Sequence, residues 1–315
     1  MSKPEVLTAS PLSPLYMAYL KESYVVHERL HDTDPAAFAA AAPRIRAIAA
    51  SGESKVSAEL VSRLPALEMI SVFGVGYDGI DVAAARQRAI PVTHTPDVLN
   101  DEVADLAIAL MLAVARRIPQ ADQYVRGGRW PGGPMPLATR VSGARLGIVG
   151  LGRIGQAIAQ RAAAFGMSIA YTSRTQKPGT AYRYFPSAEA LAAEVDFLVL
   201  ITPGGAGTRK LVNAQVLKAL GPQGYLVNVA RGSVVDEAAL IEALQGGLIA
   251  GAGLDVFENE PNVPEALRAM DNVVLTPHIG SATKQTRQAM ADLAAGNLAA
   301  HFAGKPLLSP VPECR

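Results

Sequence analysis

The chain has 315 residues, 50% of them hydrophobic and 18% charged, enough for a sizeable core and, at roughly 100 to 200 residues per domain, for two domains. A formal net charge of +1 gives no general attraction for nucleic acid or an anionic membrane, so neither is expected as a partner and anion binding must come from local clusters. The single cysteine, Cys314, has no partner for an intramolecular disulfide, which fits a reducing cytoplasm.

Taken in chain order, Pro4 and Glu5 stand where a secretory signal would begin its apolar core, so no signal is expected. Short apolar runs at 5–8, 24–27, 45–50 and 69–73 alternate with helix-like segments, the pattern of a parallel sheet covered by helices. The stretch 100–117 then predicts a helix, with Asn100 as its cap, acids in its first turn and Arg116 and Arg117 at its end. Its apolar run 106–115 is only about half the length that spans a bilayer. Because that helix is apolar nearly all round, it must be covered on several sides, within the chain or by a second subunit. Four glycines and three prolines in 125–136 predict an extended arm or loop. Trp130, the only tryptophan, lies in it, either reaching across a dimer or plugging its own subunit. A second series of strands is expected at 145–149, 168–173, 196–201, 225–229, 251–255 and 272–275, six strands that complete a doubly wound sheet.

The chemistry is concentrated in that second series. The strand 145–149 runs into Gly150-Leu-Gly-Arg-Ile-Gly155 and a helix expected at 156–165. Gly150, Gly152 and Gly155 permit a tight turn, close approach of a pyrophosphate and close helix packing, while Leu151, Arg153 and Ile154 carry backbone N–H groups at a helix start. Such a unit normally places an acid about 20 residues on, to accept hydrogen bonds from the ribose of NAD. Here the second strand ends in Ser173-Arg174-Thr175, followed by Lys177. A carboxylate would repel a ribose 2′-phosphate, whereas a guanidinium and two hydroxyls bind one, so NADPH is the expected cofactor. At the carboxyl ends of later strands come Asn228-Val-Ala-Arg-Gly-Ser233, Gly253-Leu-Asp-Val-Phe-Glu-Asn-Glu-Pro261 and Leu275-Thr-Pro-His-Ile-Gly280. An arginine, acids and a histidine are thereby sent to one edge, and no metal is expected.

In this order the motifs closely resemble the D-isomer-specific 2-hydroxyacid dehydrogenases, most nearly the glyoxylate/hydroxypyruvate reductase branch, over almost the whole chain. The resemblance implies an α/β protein of two doubly wound parallel-sheet domains: a Rossmann NADP-binding domain at 98–283, inserted in a flavodoxin-like substrate domain formed by 1–97 and 284–315. It implies Arg231 as the substrate-orienting arginine, Glu260 as the acid and His278 as the proton donor, with Arg231 and His278 also touching substrate. Val75 and Gly76, in Phe73-Gly-Val-Gly-Tyr77, would hold the substrate carboxylate. Val229, Ala230 and Asp255 would lie against the cofactor, although Asp255 fits a helix-capping role nearly as well. The remaining histidines, His27, His31, His94 and His301, are read as structural or solvated.

The implied activity is NADPH-dependent reduction of small 2-keto acids such as glyoxylate and hydroxypyruvate by a cytoplasmic homodimer joined largely through the cofactor domains. A reductase of longer sugar acids such as 2-ketogluconate is the alternative. A phosphoglycerate dehydrogenase would need a regulatory domain for which a chain ending at Arg315 has no room. A nucleotide-sensing scaffold like the C-terminal-binding corepressors shares the residues but carries long disordered extensions.

Overall fold

The structure, a computed structural model, describes residues 3–314 and divides into two compact units. The first comprises the residues up to Leu99 together with those from Thr283 onward; the second is Asn100–Ala282.

In the first unit, β1 (Glu5–Thr8), β2 (Val25–Glu28), β3 (Ile45–Ser51), β4 (Met69–Phe73) and β5 (Val92–Thr93) form a parallel sheet in the order β2-β1-β3-β4-β5. Its inner strands are buried apolar runs, as a sheet covered on both faces requires. Leu7, Ile48, Ile70 and Val92 pack with Phe38 and Leu64 from the connecting segments. The long helix Lys284–Phe302 returns to this unit, where the Ser71 hydroxyl donates to the Ala294 carbonyl (3.1 Å) and itself accepts from the Tyr16 hydroxyl (3.1 Å). The fifth strand was not expected: two residues between Pro91 and Pro96 are too few to show alternation.

The second unit holds β6 (Arg145–Val149), β7 (Ser168–Thr172), β8 (Arg183–Tyr184), β9 (Phe197–Leu200), β10 (Tyr225–Asn228), β11 (Gly251–Leu254) and β12 (Val273–Leu275). The parallel order is β12-β11-β10-β9-β6-β7-β8, so the chain winds outward from β6 in both directions and the β6/β9 boundary is the topological switch point. Seven strands stand where six were expected, because the edge strand β8 is two residues in a turn-rich stretch.

Three helical readings are corrected. The helix after β6 spans Arg153–Ala163, three residues earlier than expected at its start, because Gly152 already has the extended backbone of an N-cap. The apolar helix spans Asn100–Ala115, so Asn100 is its first residue rather than a preceding cap. Arg117 leaves the helix with left-handed geometry (φ 53°) and opens a second helix, Ile118–Arg126, which runs into the first residues of the expected arm. The remainder of that arm is irregular apart from a 3₁₀ turn at Trp130–Gly132. The apolar helix buries Val103, Ala107, Leu110, Met111 and Val114 within its own unit, against the Arg153–Ala163 helix and β10–β12. Most of its apolar surface is therefore covered internally. Trp130, by contrast, is 66% exposed and plugs nothing in its own chain. No helix among the described residues is long and apolar enough to cross a membrane.

Candidate active site

Because all strands of the second sheet are parallel, everything following their carboxyl ends lies on one edge. At β6 that edge carries the glycine loop. Gly150 has φ +108°, and a side chain there would press on the Ile201 carbonyl oxygen at 2.7 Å. Gly155, in the first helical turn, would bring a Cβ to 2.2 Å from the Gly150 carbonyl oxygen, so it is glycine for close packing. Gly152 differs. Its backbone (φ −87°, ψ −160°) is open to any residue, and an added Cβ would meet no protein atom within 4 Å. Neither conformation nor packing demands glycine at 152, which leaves room for a ligand at the helix N-terminus. There the first-turn N–H groups of Arg153 and Ile154 have no acceptor within the helix. Leu151 is buried beneath the loop and Arg153 is exposed.

Beyond β7 the chain makes a tight turn in which the Ser173 hydroxyl donates to the Thr175 carbonyl (2.7 Å). The Tyr171 hydroxyl accepts from the Lys177 backbone N–H (2.7 Å) and fixes the far side of the turn. Arg174, Thr175 and Lys177 are exposed, and the side chains of Arg174 and Lys177 have no acidic partner among the described residues. Two cations without a counter-charge suit a phosphate.

After β10, the Asn228 side chain accepts from the Ala230 N–H (3.0 Å) and donates to the Arg231 carbonyl (3.0 Å). The turn carrying Arg231 is thereby fixed from both sides. Val229 and Ala230 are buried. Arg231 is half-buried and donates from Nη1 to the Ala230 carbonyl (2.7 Å). Gly232 touches the next loop: a Cβ there would fall 1.9 Å from the Phe257 carbonyl carbon. The arginine turn and the acid-bearing loop therefore meet backbone to backbone.

In that loop the Glu260 carboxylate accepts from the Phe257 N–H through Oε1 (2.9 Å) and meets His278 Nδ1 through Oε2 (2.8 Å). A carboxylate can only accept, so Nδ1 carries a proton and Nε2 is left to face the reaction. His278 has φ +52°, a strained value for a residue with a side chain. Asp255 holds this turn. Its backbone carbonyl accepts from the His278 N–H (2.9 Å), one carboxylate oxygen accepts from the Thr276 hydroxyl (2.6 Å) and the Ile279 N–H (2.8 Å), and the other from the Gly280 N–H (2.9 Å). Burial pushes the Asp255 carboxyl above its ordinary range, against the lowering effect of these bonds and of His278. The contacts of Asp255 are those of a cap on the histidine turn.

Val75 and Gly76 belong to the other unit, in the loop following β4, where their N–H groups meet no acceptor among the described residues. Asn228 and Gly232 were visible in the sequence only as parts of the Arg231 motif. Asn228 acts inside that motif, on Ala230 and Arg231, whereas the role of Gly232 follows from its contact with another loop, which no spacing within the motif discloses.

Among known proteins, the chain is 52% identical over 270 residues to a hydroxyphenylpyruvate reductase of Plectranthus scutellarioides, with 86% of each chain covered. It is 46% identical over 315 residues to a 2-ketogluconate reductase of Gluconobacter oxydans, with 98% and 99% covered. The crystal structure of an NADPH-dependent glyoxylate/hydroxypyruvate reductase from Sinorhizobium meliloti, in complex with NADP and malonate, superimposes with a TM-score of 0.93 at 50% identity, covering 99% of this chain and 98% of that one. Residues 108–280 match the family model described as D-isomer specific 2-hydroxyacid dehydrogenase, NAD binding domain. With more than half of its length in that match and its Arg231, Glu260 and His278 motifs on one sheet edge, this chain belongs to the D-isomer-specific 2-hydroxyacid dehydrogenases.

Proposed function

We propose that the protein is an NADPH-dependent reductase of small 2-keto acids, glyoxylate and hydroxypyruvate first among them, with the unit Asn100–Ala282 binding the cofactor and the other unit serving as substrate domain. The observation that carries this reading is the Glu260–His278 pair, 2.8 Å apart, on the same sheet edge as a glycine loop with space for a pyrophosphate. When bound, NADPH supplies the hydride. The cation pair of Arg174 and Lys177, with the hydroxyl of Thr175 and that of Ser173 once it turns from the Thr175 carbonyl, favours the 2′-phosphate over a bare ribose.

The chain's own residues supply the rest. Arg231 binds the carboxylate and the adjacent ketone of the 2-keto acid, orienting it and polarising the carbonyl. As charge grows on the ketone oxygen, His278 gives it the proton carried on Nε2. Glu260 keeps the ring oriented through Nδ1 and favours its charged form. Val75 and Gly76 offer backbone N–H groups for the substrate carboxylate.

The subunit is read as half of a cytoplasmic homodimer. The helix Ile118–Arg126 buries no residue in its own chain, and Ile118, Val125, Trp130 and Leu137 are 51%, 55%, 66% and 99% exposed. A second copy accounts for this apolar surface better than water does. Trp130 is then expected to reach towards the partner's cleft. Unchanged dimerisation and substrate preference in Trp130→Ala would remove support for the crossing arm.

The deciding experiment follows NADPH and NADH oxidation with glyoxylate, hydroxypyruvate and 2-ketogluconate. The reading requires faster turnover per unit KM with the two small acids and with NADPH. The full-length similarity to a 2-ketogluconate reductase favours the second reading, which a preference for 2-ketogluconate would establish. Absence of turnover with any keto acid would point instead to a nucleotide-sensing role.

A further inference from the structure

We propose that His94 is a positioning residue for the substrate carboxylate, acting through the Val75–Gly76 peptide. This rests on the reading of Val75 and Gly76 as the carboxylate holders. Two successive peptides of the loop following β4 are gripped by their carbonyls: Thr95 N–H donates to the Gly74 carbonyl (2.8 Å), and His94 Nδ1 donates to the Val75 carbonyl (3.0 Å). A carbonyl only accepts, so Nδ1 carries the proton. In a trans peptide the N–H points opposite to the C=O. Holding the carbonyls of Gly74 and Val75 toward β5 therefore turns the N–H groups of Val75 and Gly76 the other way. Those two groups meet no acceptor among the described residues. Adjacent N–H groups left open in this way form a concave site for an anion, and a carboxylate oxygen fits it.

The grip on Gly74 comes from backbone and would survive any side-chain change, whereas the grip on Val75 depends on histidine alone. His94 is itself immobilised. It is 6% exposed, its ring meets the Tyr77 ring edge-on at 5.3 Å, its N–H donates to the Ser309 carbonyl (3.1 Å), and its carbonyl accepts from the Ser309 hydroxyl (2.6 Å). Ser309 is fixed in turn by Asn297, which is fully buried: Nδ2 donates to the Ser309 hydroxyl (2.8 Å) and Oδ1 accepts from the Ser309 N–H (3.0 Å). A buried polar chain thus runs from the C-terminal helix through Ser309 and His94 to the loop. Satisfied chains of this kind rigidify what they hold.

Asn and Gln place their amide nitrogens near the positions of Nδ1 and Nε2 of histidine respectively, which separates the donor from the bulk. In the full-length enzyme, His94→Gln and His94→Phe are expected to raise the KM for glyoxylate and the Ki for malonate in parallel, by roughly five- to tenfold. The kcat and the KM for NADPH should stay within about twofold, and His94→Asn should remain near wild type. Equal behaviour of the Asn and Gln variants, or a change that falls equally on NADPH, overturns the proposal. If His94 tolerates no replacement, Ser309→Ala is read in the same way, and an unchanged malonate Ki there overturns it too. Gly76→Pro, or Val75→Pro should that not fold, removes one N–H and separates the two levels. Unaltered malonate binding in the proline variant means that the loop does not hold the carboxylate at all. Weakened binding there, with His94→Gln at wild-type values, means that the loop holds it without help from His94.

Discussion

The two units are built on the same principle, a parallel sheet with its ligands expected at the carboxyl edge, but they furnish that edge differently. In the second unit it carries the side chains to which chemistry and cofactor choice are assigned by proposal: Arg174 after β7, Arg231 after β10, and Glu260 and His278 beyond β11 and β12. In the first unit the loop following β4 presents backbone N–H groups, with its polar side chains, His94, Ser309 and Asn297, buried behind it. A side chain that performs chemistry must be a particular residue type at a particular place. A backbone donor has no residue identity, and its direction is set by whatever holds the opposite face of the peptide. Substitutions in the second unit should therefore change rate or cofactor choice, and those behind the loop should change substrate affinity.

The largest expected effect tests the chemical side of this contrast. His278→Gln keeps a polar side chain but cannot carry the proton, and kcat should fall about a hundred- to ten-thousandfold with the KM for NADPH little changed. In the wild type, reduction requires the charged imidazole, so the rate should decline as pH rises through its titration. Glu260→Gln removes a charge that favours the imidazolium and should move this decline to lower pH. A pH–rate profile identical in Glu260→Gln and wild type would uncouple the pair despite its 2.8 Å contact.

Arg174 should affect affinity without affecting rate. Replacing it with aspartate turns attraction for the 2′-phosphate into repulsion, and one charge-assisted hydrogen bond is worth about 1.5 to 3 kcal/mol, roughly ten- to a hundredfold in the KM for NADPH. The kcat at saturating cofactor should hold, because the contact is the same in ground and transition states. Lys177 and the two hydroxyls retain part of the preference. Equal losses with NADH would mean damage to the turn rather than lost recognition, and a wild-type preference for NADH would overturn the assignment of Arg174.

The same contrast explains what was legible in the sequence. Strands β1, β4 and β6 show as apolar runs of matching extent, because a strand buried on both faces is written as hydrophobic residues. The glycine loop is legible because backbone conformation and close packing demand glycine at 150 and 155, and Arg231, Glu260 and His278 because the chemistry proposed for them constrains residue type. The two-residue strands β5 and β8 are too short to carry a period. The helix Ile118–Arg126 was hidden by Pro119, which reads as a breaker but occupies the first turn, where its missing N–H costs nothing. Gly232 and His94 owe their importance to segments 25 and 19 residues distant, namely Phe257 and Val75. Asp255 was divided between a cofactor contact and a helix cap, and the structure shows it bonding the histidine turn rather than a helix, which depends on where Ile279 and Gly280 point.

A change at Gly232 would sharpen the comparison by perturbing a side-chain site through backbone alone. Alanine there must push the Arg231 turn away from Phe257, an overpacking expected to cost about 1 to 3 kcal/mol of stability. The displaced guanidinium should lower kcat/KM for keto acids while NADPH binding, set at β6 and β7, stays close to wild type. Urea unfolding together with the two KM values checks both parts. Wild-type stability in Gly232→Ala would show that the two loops yield to each other.

The smallest effect is expected at the opposite edge of the second sheet, where charged side chains are present but no chemistry is assigned. Arg145, the first residue of β6, donates from Nη2 to the Asp196 carboxylate before β9 (2.6 Å), and its backbone N–H donates to the same group (2.8 Å). The Arg145 side chain, by its hydrogen bonds, holds the Asp196 carboxyl below its ordinary value of 3.8. A lowered folded-state value means that the ionised carboxylate stabilises the fold above the unfolded-state titration, and that this contribution is lost as pH falls through the folded one. Asp255, raised by burial, contributes in the opposite sense, losing its favourable term as pH rises through its titration. Both partners of the Arg145 pair are substantially exposed (53% and 34%), so solvent screening limits the pair to about 1 kcal/mol or less. Asp196→Asn should therefore lower stability slightly at pH 7, and the difference from wild type should shrink below the unfolded-state titration, as urea midpoints at the two pH values would show. Its kinetic constants should match wild type for both substrates. A kinetic defect in Asp196→Asn would break the distinction between the two edges, since a charged pair at the amino ends of β6 and β9 would then reach the chemistry at their carboxyl ends.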